Sequence, residues 1–237
     1  MNDLLNGIII VNKPQGWTSF DVCNKIRGLT GVKKVGHSGT LDPMATGVLP
    51  VFLGTATKSV DRFLSGDKGY RAEMTLGITT DTLDATGKIL LRNAECGVRN
   101  EEEIKSLFEK YTGKLKQKPP MFSAKKVNGQ RLYKMARKGQ EVEREPVEIT
   151  IYKIDLLGMD GNKIRFDVLC SKGTYVRVLA ADMGDDLGCG AHLSALERIY
   201  SHPFHISQAF DLNTIANLVK IGRLDTIILP VADILAA

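Results

Sequence analysis

The loop Gly36-His37-Ser38-Gly39-Thr40-Leu41-Asp42-Pro43-Met44-Ala45-Thr46-Gly47 sets one carboxylate among glycines, just ahead of an apolar run from Val48 to Leu53. Pro43 restricts Asp42 to extended backbone and keeps a helix from starting there. Read alone, Asp-Pro is a turn. Long loops of this composition in compact domains are also where chemistry is carried, and a carboxylate can serve there as nucleophile or base. A second stretch has a different chemistry. From Lys114 to Lys138 there are nine basic residues and no acid, against a net charge of +5 for the chain, which leaves the remainder at −4. Glu141, Glu143 and Glu145 follow at once. Such a run can be a plain solvated face. Phe122 and Tyr133 are interleaved in it and Pro119, Pro120 and Gly129 punctuate it, a composition suited to a phosphate backbone and unstacked bases.

Other chemistries lack their residues. No GxGxxG follows a strand, no GxxxxGK[ST] occurs, and Gly54 to Ser59 (GTATKS) is too short for a phosphate loop. His202 and His205 have no carboxylate or cysteine cluster around them and read as structural or surface histidines. Nothing resembles a nucleophile elbow. Cys23, Cys96, Cys170 and Cys189 form no CxxC pair, which disfavours a zinc site or disulfide framework and fits a reducing cytoplasm.

The elements that must position these residues are mixed. Gly7 to Asn12 reads as a buried strand, and Lys13-Pro14-Gln15-Gly16 as a turn. Ser19 can cap a helix reaching about Leu29, with Val22, Cys23, Ile26 and Leu29 on one face and Gly31 ending it. Val48 to Leu53 is a strand, followed by a short helix at 57–64. Residues 69–77 alternate as a half-buried strand, and TTDTLDATG reads as a turn. Asn100 caps a helix through Ile104, Leu107, Phe108 and Tyr111. Two antiparallel strands run through Val147–Ile151 and Ile164–Cys170. A helix at 175–187, a strand near 193–199 and two C-terminal helices complete the pattern. With 237 residues, 43% hydrophobic and 25% charged, the chain is of ordinary globular composition, with no membrane-length apolar run and no signal-peptide pattern. The expected class is α+β, with a mixed, largely antiparallel sheet flanked by helices.

GHSGTLDPMATGVLP together with NKPQGWTSFD resembles the TruB family of tRNA pseudouridine synthases. ATKSVDRFL, DKGYRAEMTLGITTDTLDATG, PPMFSAKKVNGQRLYKMARKG, CSKGTYVRVLAADMGDDLGCGAHLSALER and LPVADIL match in the same order, so the resemblance covers nearly the whole chain. It implies the pseudouridine synthase fold and isomerisation of uridine 55 in the T-loop of tRNA, with no cofactor or metal. The glycosidic bond breaks, the flipped uracil rotates, and a carbon–carbon bond forms from C5. The resemblance makes Asp42 the catalytic carboxylate, with attack at C1′, attack at C6 and oxocarbenium stabilisation all open. It pairs Arg177 with that carboxylate and stacks Tyr70 on the target base. By residue type alone, Arg177 is an early helix residue, Tyr70 an inward strand residue and Leu196 plain core. The resemblance places Tyr175 and Leu196 around the uracil and inserts His37 into the T-loop. It gives Lys13 and Pro14 a supporting turn and puts Lys58 near phosphate. Residues 114–145 become an RNA-clamping insertion, with Lys125, Lys126 and Lys134 on the RNA. The implied partner is the T-arm of tRNA, with no membrane and no protein partner, for a cytoplasmic monomer whose catalytic domain is residues 1–237.

Two departures stand out. Glu197 occupies the place of a family arginine ahead of Arg198. The family's small C-terminal RNA-binding domain, of the PUA-like kind, is expected to be absent. A non-catalytic tRNA-folding protein on the same scaffold is the rival reading, and a synthase for another RNA a further one. The first does not need a carboxylate facing an anionic ligand.

Overall fold

A computed structural model of the chain describes residues 5–93, 96, 99–123, 125–127, 129–136 and 139–236, with backbone only at 126, 127, 131 and 133. In chain order the elements are β1 (Gly7–Lys13), α1 (Ser19–Thr30), β2 (Val35–His37), β3 (Thr46–Leu53), α2 (Val60–Leu64), β4 (Lys68–Leu76), β5 (Ile78–Thr80), β6 (Ile89–Arg92) and α3 (Glu101–Lys110). Then come β7 (Gly113–Gln117), β8 (Lys126–Val127), β9 (Gln130–Arg131), α4 (Leu132–Ala136), β10 (Val147–Asp160), β11 (Lys163–Cys170), α5 (Val176–Asp186), β12 (Ala191–Ser201), β13 (Phe204–His205), α6 (Leu212–Lys220) and α7 (Val231–Ala236). The chain forms two compact units, Met1–Gly69 with Glu197–Ala237, and Tyr70–Leu196.

In the first unit β1 lies antiparallel on β3, from Gly7 opposite Leu53 to Lys13 opposite Gly47. The other edge of β3 takes β2 antiparallel and the second half of β12 parallel, with Glu197 opposite Thr46 and Arg198 opposite Gly47. β1 is apolar on both faces because both are covered. Ile9 and Val11 pack with Val22, Cys23 and Ile26 of α1 and Ile215 of α6. Ile8 and Ile10 pack with Phe52, Phe63 and Phe204. The outer edge of β1 is closed by the C-terminal segment, Ile8 exchanging two hydrogen bonds of 2.8 Å with Leu229 and Asn12 N donating to Phe210 O at 2.9 Å.

In the second unit the strand order is β12-β4-β11-β10-β7. β10 is antiparallel to both β11 and β7. α3 packs on β10, and its Phe108 meets Phe166 of β11 with ring centroids 5.4 Å apart. α5 buries Val176, Val178, Leu179, Ala180 and Met183. The expected α+β architecture, mostly antiparallel with helices against the sheet, is the one found.

Three expectations need correction. Thr18, not Ser19, caps α1: its side chain accepts from Asp21 N, and the Asp21 carboxylate accepts from Thr18 N at 2.9 Å. The long loop 31–47 contains β2, a strand too short to show a period. The expected insertion from residue 114 does not begin there, because Gly113–Gln117 is a sheet strand and Lys114 pairs with Glu148 of β10 at 3.5 Å.

Candidate active site

Asp42 sits half-buried on a loop fixed by hydrogen bonds on both sides of it. Ser19, the first residue of α1, is buried, and its hydroxyl accepts from Leu41 N at 2.9 Å and lies 3.3 Å from Leu41 O. Ala45 N donates to Asp42 O at 3.0 Å, and Gly16 N donates to Pro43 O at 2.8 Å. Lys13 is fully buried, and its ammonium donates to Trp17 O at 2.6 Å, Pro14 O at 2.9 Å and Pro43 O at 3.3 Å. The Lys-Pro turn is therefore a floor beneath Asp42. Burial pulls the Lys13 ammonium down to about 8, the Asp42 carboxylate opposes that shift, and Arg198 adds to it. The lysine still carries its proton at neutral pH, and its charge acts on Asp42.

His37 closes β2, half-buried, with Nδ1 out of contact with water and without a hydrogen-bond partner among the described residues. Burial, and after it the Arg198 charge, push its pKa below the ordinary histidine range. A neutral ring with one unused nitrogen can meet a nucleobase. Lys58 is exposed in the 3₁₀ turn Gly54–Ser59.

In the second unit Tyr70 begins the inward row of β4 and is 9% exposed. Arg177, in the first turn of α5, is buried with its guanidinium over the Tyr175 ring, 5.9 Å from the centroid. Its Nη1 lies 3.7 Å from Asp84 Oδ2, and its Nη2 donates to Phe122 O at 2.5 Å. Asp84 is itself buried, and its Oδ1 accepts from Thr82 Oγ1 at 2.8 Å, Thr86 N at 2.9 Å and Thr86 Oγ1 at 2.6 Å. Tyr175 is gripped through its backbone: Gln117 Oε1 accepts from its N–H at 2.8 Å and Gln117 Nε2 donates to its C=O at 3.1 Å. Leu196 lies half-buried on β12. Lys125 is half-buried and Lys134 exposed, while the side chain of Lys126 lies outside the described residues, as do those of Arg131 and Tyr133 and the whole of Arg137 and Lys138.

The structure thus joins Asp42 with Lys13, and Tyr175 with Arg177, inside single units. Sequence reasoning missed three of the residues that hold them. Asp84 was lost in a segment read as a turn, although its three neighbouring threonines were a signal. Gln117 lay inside the basic run with no polar pattern to mark it. Arg198 stood beside Glu197 and drew notice only as its neighbour.

A carboxylate on a fixed loop, in a chain with a concentrated basic segment, suits covalent or general-base work on a polyanion. The fold is that of the pseudouridine synthases: a Cbf5–Nop10–Gar1 complex contains a chain with a TM-score of 0.75 at 30% identity, over 95% of this chain and 58% of that one. An H/ACA RNP bound to a substrate RNA containing 2′-deoxyuridine has one at 0.72 and 28%, over 94% and 59%. This chain accordingly spans a little under three-fifths of the length of those structures. Residues 27–176 match the TruB family pseudouridylate synthase N-terminal domain, and residues 177–236 the tRNA pseudouridylate synthase B C-terminal domain. The tRNA pseudouridine synthase B of Francisella philomiragia is 47% identical over 90% of this chain and 71% of the relative, and that of Geotalea uraniireducens 48% over 96% and 74%. The chain belongs to the TruB family of pseudouridylate synthases.

Proposed function

We propose that this protein isomerises uridine 55 in the T-loop of tRNA to pseudouridine, with Asp42 as the catalytic carboxylate and Tyr70 and Arg177 as its partners in catalysis. The C1′–N1 bond breaks, the flipped uracil turns, C1′ bonds to C5, the C5 proton passes to solvent, and N1 takes up a proton in its place. The observation that carries the reading is the mounting of Asp42 over the buried ammonium of Lys13, which supports an ionised carboxylate in a water-poor place. Tyr175 and Leu196 line the base, with Tyr70 beneath it. His37 enters the loop, Lys58 meets phosphate, and Lys125, Lys126 and Lys134 grip the stem from the hairpin and short helix of 114–145. The residues 1–237 serve as one catalytic domain, acting as a monomer. The wide cysteine spacing, with no CxxC pair, suits a reducing cytoplasm, and no helix among the described residues is long and apolar enough to cross a membrane.

The test is tritium release from a T-arm stem-loop labelled at C5 of its uridine. Wild type should release tritium, and Asp42→Asn should bind equally well while losing at least about a thousandfold in turnover. No release from wild type, with tight binding by both proteins, would assign the protein to RNA folding instead. Full turnover by Asp42→Asn would remove the carboxylate from its role.

A further inference from the structure

The segment Gly39 to Val48 starts and ends on one side chain from 150 residues further along. Arg198 is 1% exposed. Its Nη2 donates to Gly39 O at 3.0 Å and its Nε donates to Val48 O at 2.7 Å. Both flanking glycines have left-handed backbone, φ +82° at Gly39 and +100° at Gly47. A Cβ on Gly39 would stand 3.2 Å from Arg198 Nη1, and one on Gly47 would stand 2.3 Å from Arg198 O. The glycines of this loop thus serve two needs at once, the turn and the close approach of one arginine. The parallel pairing of Arg198 with Gly47 fixes the arginine's own backbone against the far end of the loop.

We propose that Arg198 is a positioning residue for the reaction: it closes the two ends of the Asp42 loop on one rigid guanidinium and so sets where the carboxylate stands. The proposal rests on the reading of Asp42 as the catalytic group. The planar fork suits the task, since it reaches two carbonyls in fixed directions, which a lysine cannot. Ser19 and Lys13 hold the middle of the loop, while Arg198 holds its ends. The same charge reaches His37 and Lys13, adding to the burial that lowers the pKa of each.

The experiment compares Arg198→Met and Arg198→Lys with wild type and with Asp211→Ala. The last removes the cap that accepts from Thr214 N at the start of α6, a destabilised control that leaves the loop's own hydrogen bonds in place. Two readouts are taken on the full chain below every melting point: kcat and KM for the T-arm stem-loop, and amide hydrogen exchange of the peptide covering 39–48. Arg198→Met should lose about a hundredfold in kcat with KM unchanged, as expected for a displacement of the reacting group by about 1 Å. Arg198→Lys, able to keep one of the two bonds, should fall between Arg198→Met and wild type. The loop should exchange faster in both variants than in Asp211→Ala. The proposal is overturned by any of three results: unchanged kcat, a loss confined to KM, or loop exchange no faster than in the control. Exchange needs no turnover, so it decides the role of Arg198 even if wild type fails to isomerise uridine, an outcome that would sink the functional reading instead.

Discussion

Lys13 is a cation kept where water does not reach, and its titration has a predictable sign. In the unfolded chain its ammonium titrates near 10.5, and in the fold at about 8. Below about pH 8 both states hold the proton and the fold bears the whole cost of burying the charge. Between about 8 and 10.5 the folded lysine releases its proton while the unfolded one keeps it, so this residue's contribution to stability rises with pH across that window. Denaturant midpoints over that range should show the rise in wild type and lose that component in Lys13→Met. Turnover should move the other way. Discharge of Lys13 removes a positive charge and one donor from beneath Pro43, so kcat should fall above about pH 8, and Lys13→Arg should shift that limb upward. At Asp84 the cost is structural first. Asp84→Ala strips a buried partner from Arg177 and the acceptor from two threonines, and should destabilise by about 3 kcal/mol, read by urea unfolding.

At the scale of the element, α1 separates fold from site within two adjacent residues. Thr18 caps the helix, and Ser19 turns away from the helix to hold Leu41. Thr18→Ala should cost about 1 kcal/mol and leave kcat alone. Ser19→Ala should cost about 1–3 kcal/mol, because it unpairs a buried N–H, and should also lower kcat. Thermal melts alongside tritium release would separate the two. Sequence reading had the helix but gave the cap to the wrong hydroxyl, because both residues are good caps and only tertiary contact distinguishes them. The capping box at Asn100, the left-handed Gly31 after α1 and the alternation in β11 were legible, since local chemistry decides them. β6 was not: Ile89, Leu90, Leu91 and Arg92 are all exposed, so the strand has no buried face to produce a period. β10 was seen for only its first five residues, since beyond Ile151 its burial ceases to alternate.

Across the whole molecule, the basic segment is partly frame and partly surface. Its first strand belongs to the sheet, and Gln117 at the end of that strand holds Tyr175, whereas Lys134 stands exposed on α4. Reversing Lys125, Lys126 and Lys134 to Glu should weaken T-arm binding and flatten its salt dependence, by about 0.7 in the log–log slope for each phosphate no longer neutralised. Filter binding across a salt series measures it, and an unchanged slope would make those lysines a solvated face. The loop bearing Asp42 could be read in the sequence, but the side chain that closes it could not, because nothing local marks a hydrogen bond spanning 159 positions. That span also fixes a time. A ribosome adding about 5–20 residues per second needs about 8–30 s to pass from Asp42 to Arg198. Throughout that interval a growing chain displays its carboxylate on an unclosed loop. Maturation of the site therefore waits until the ribosome has passed Arg198, and chains cut short before that point should leave cellular RNA untouched.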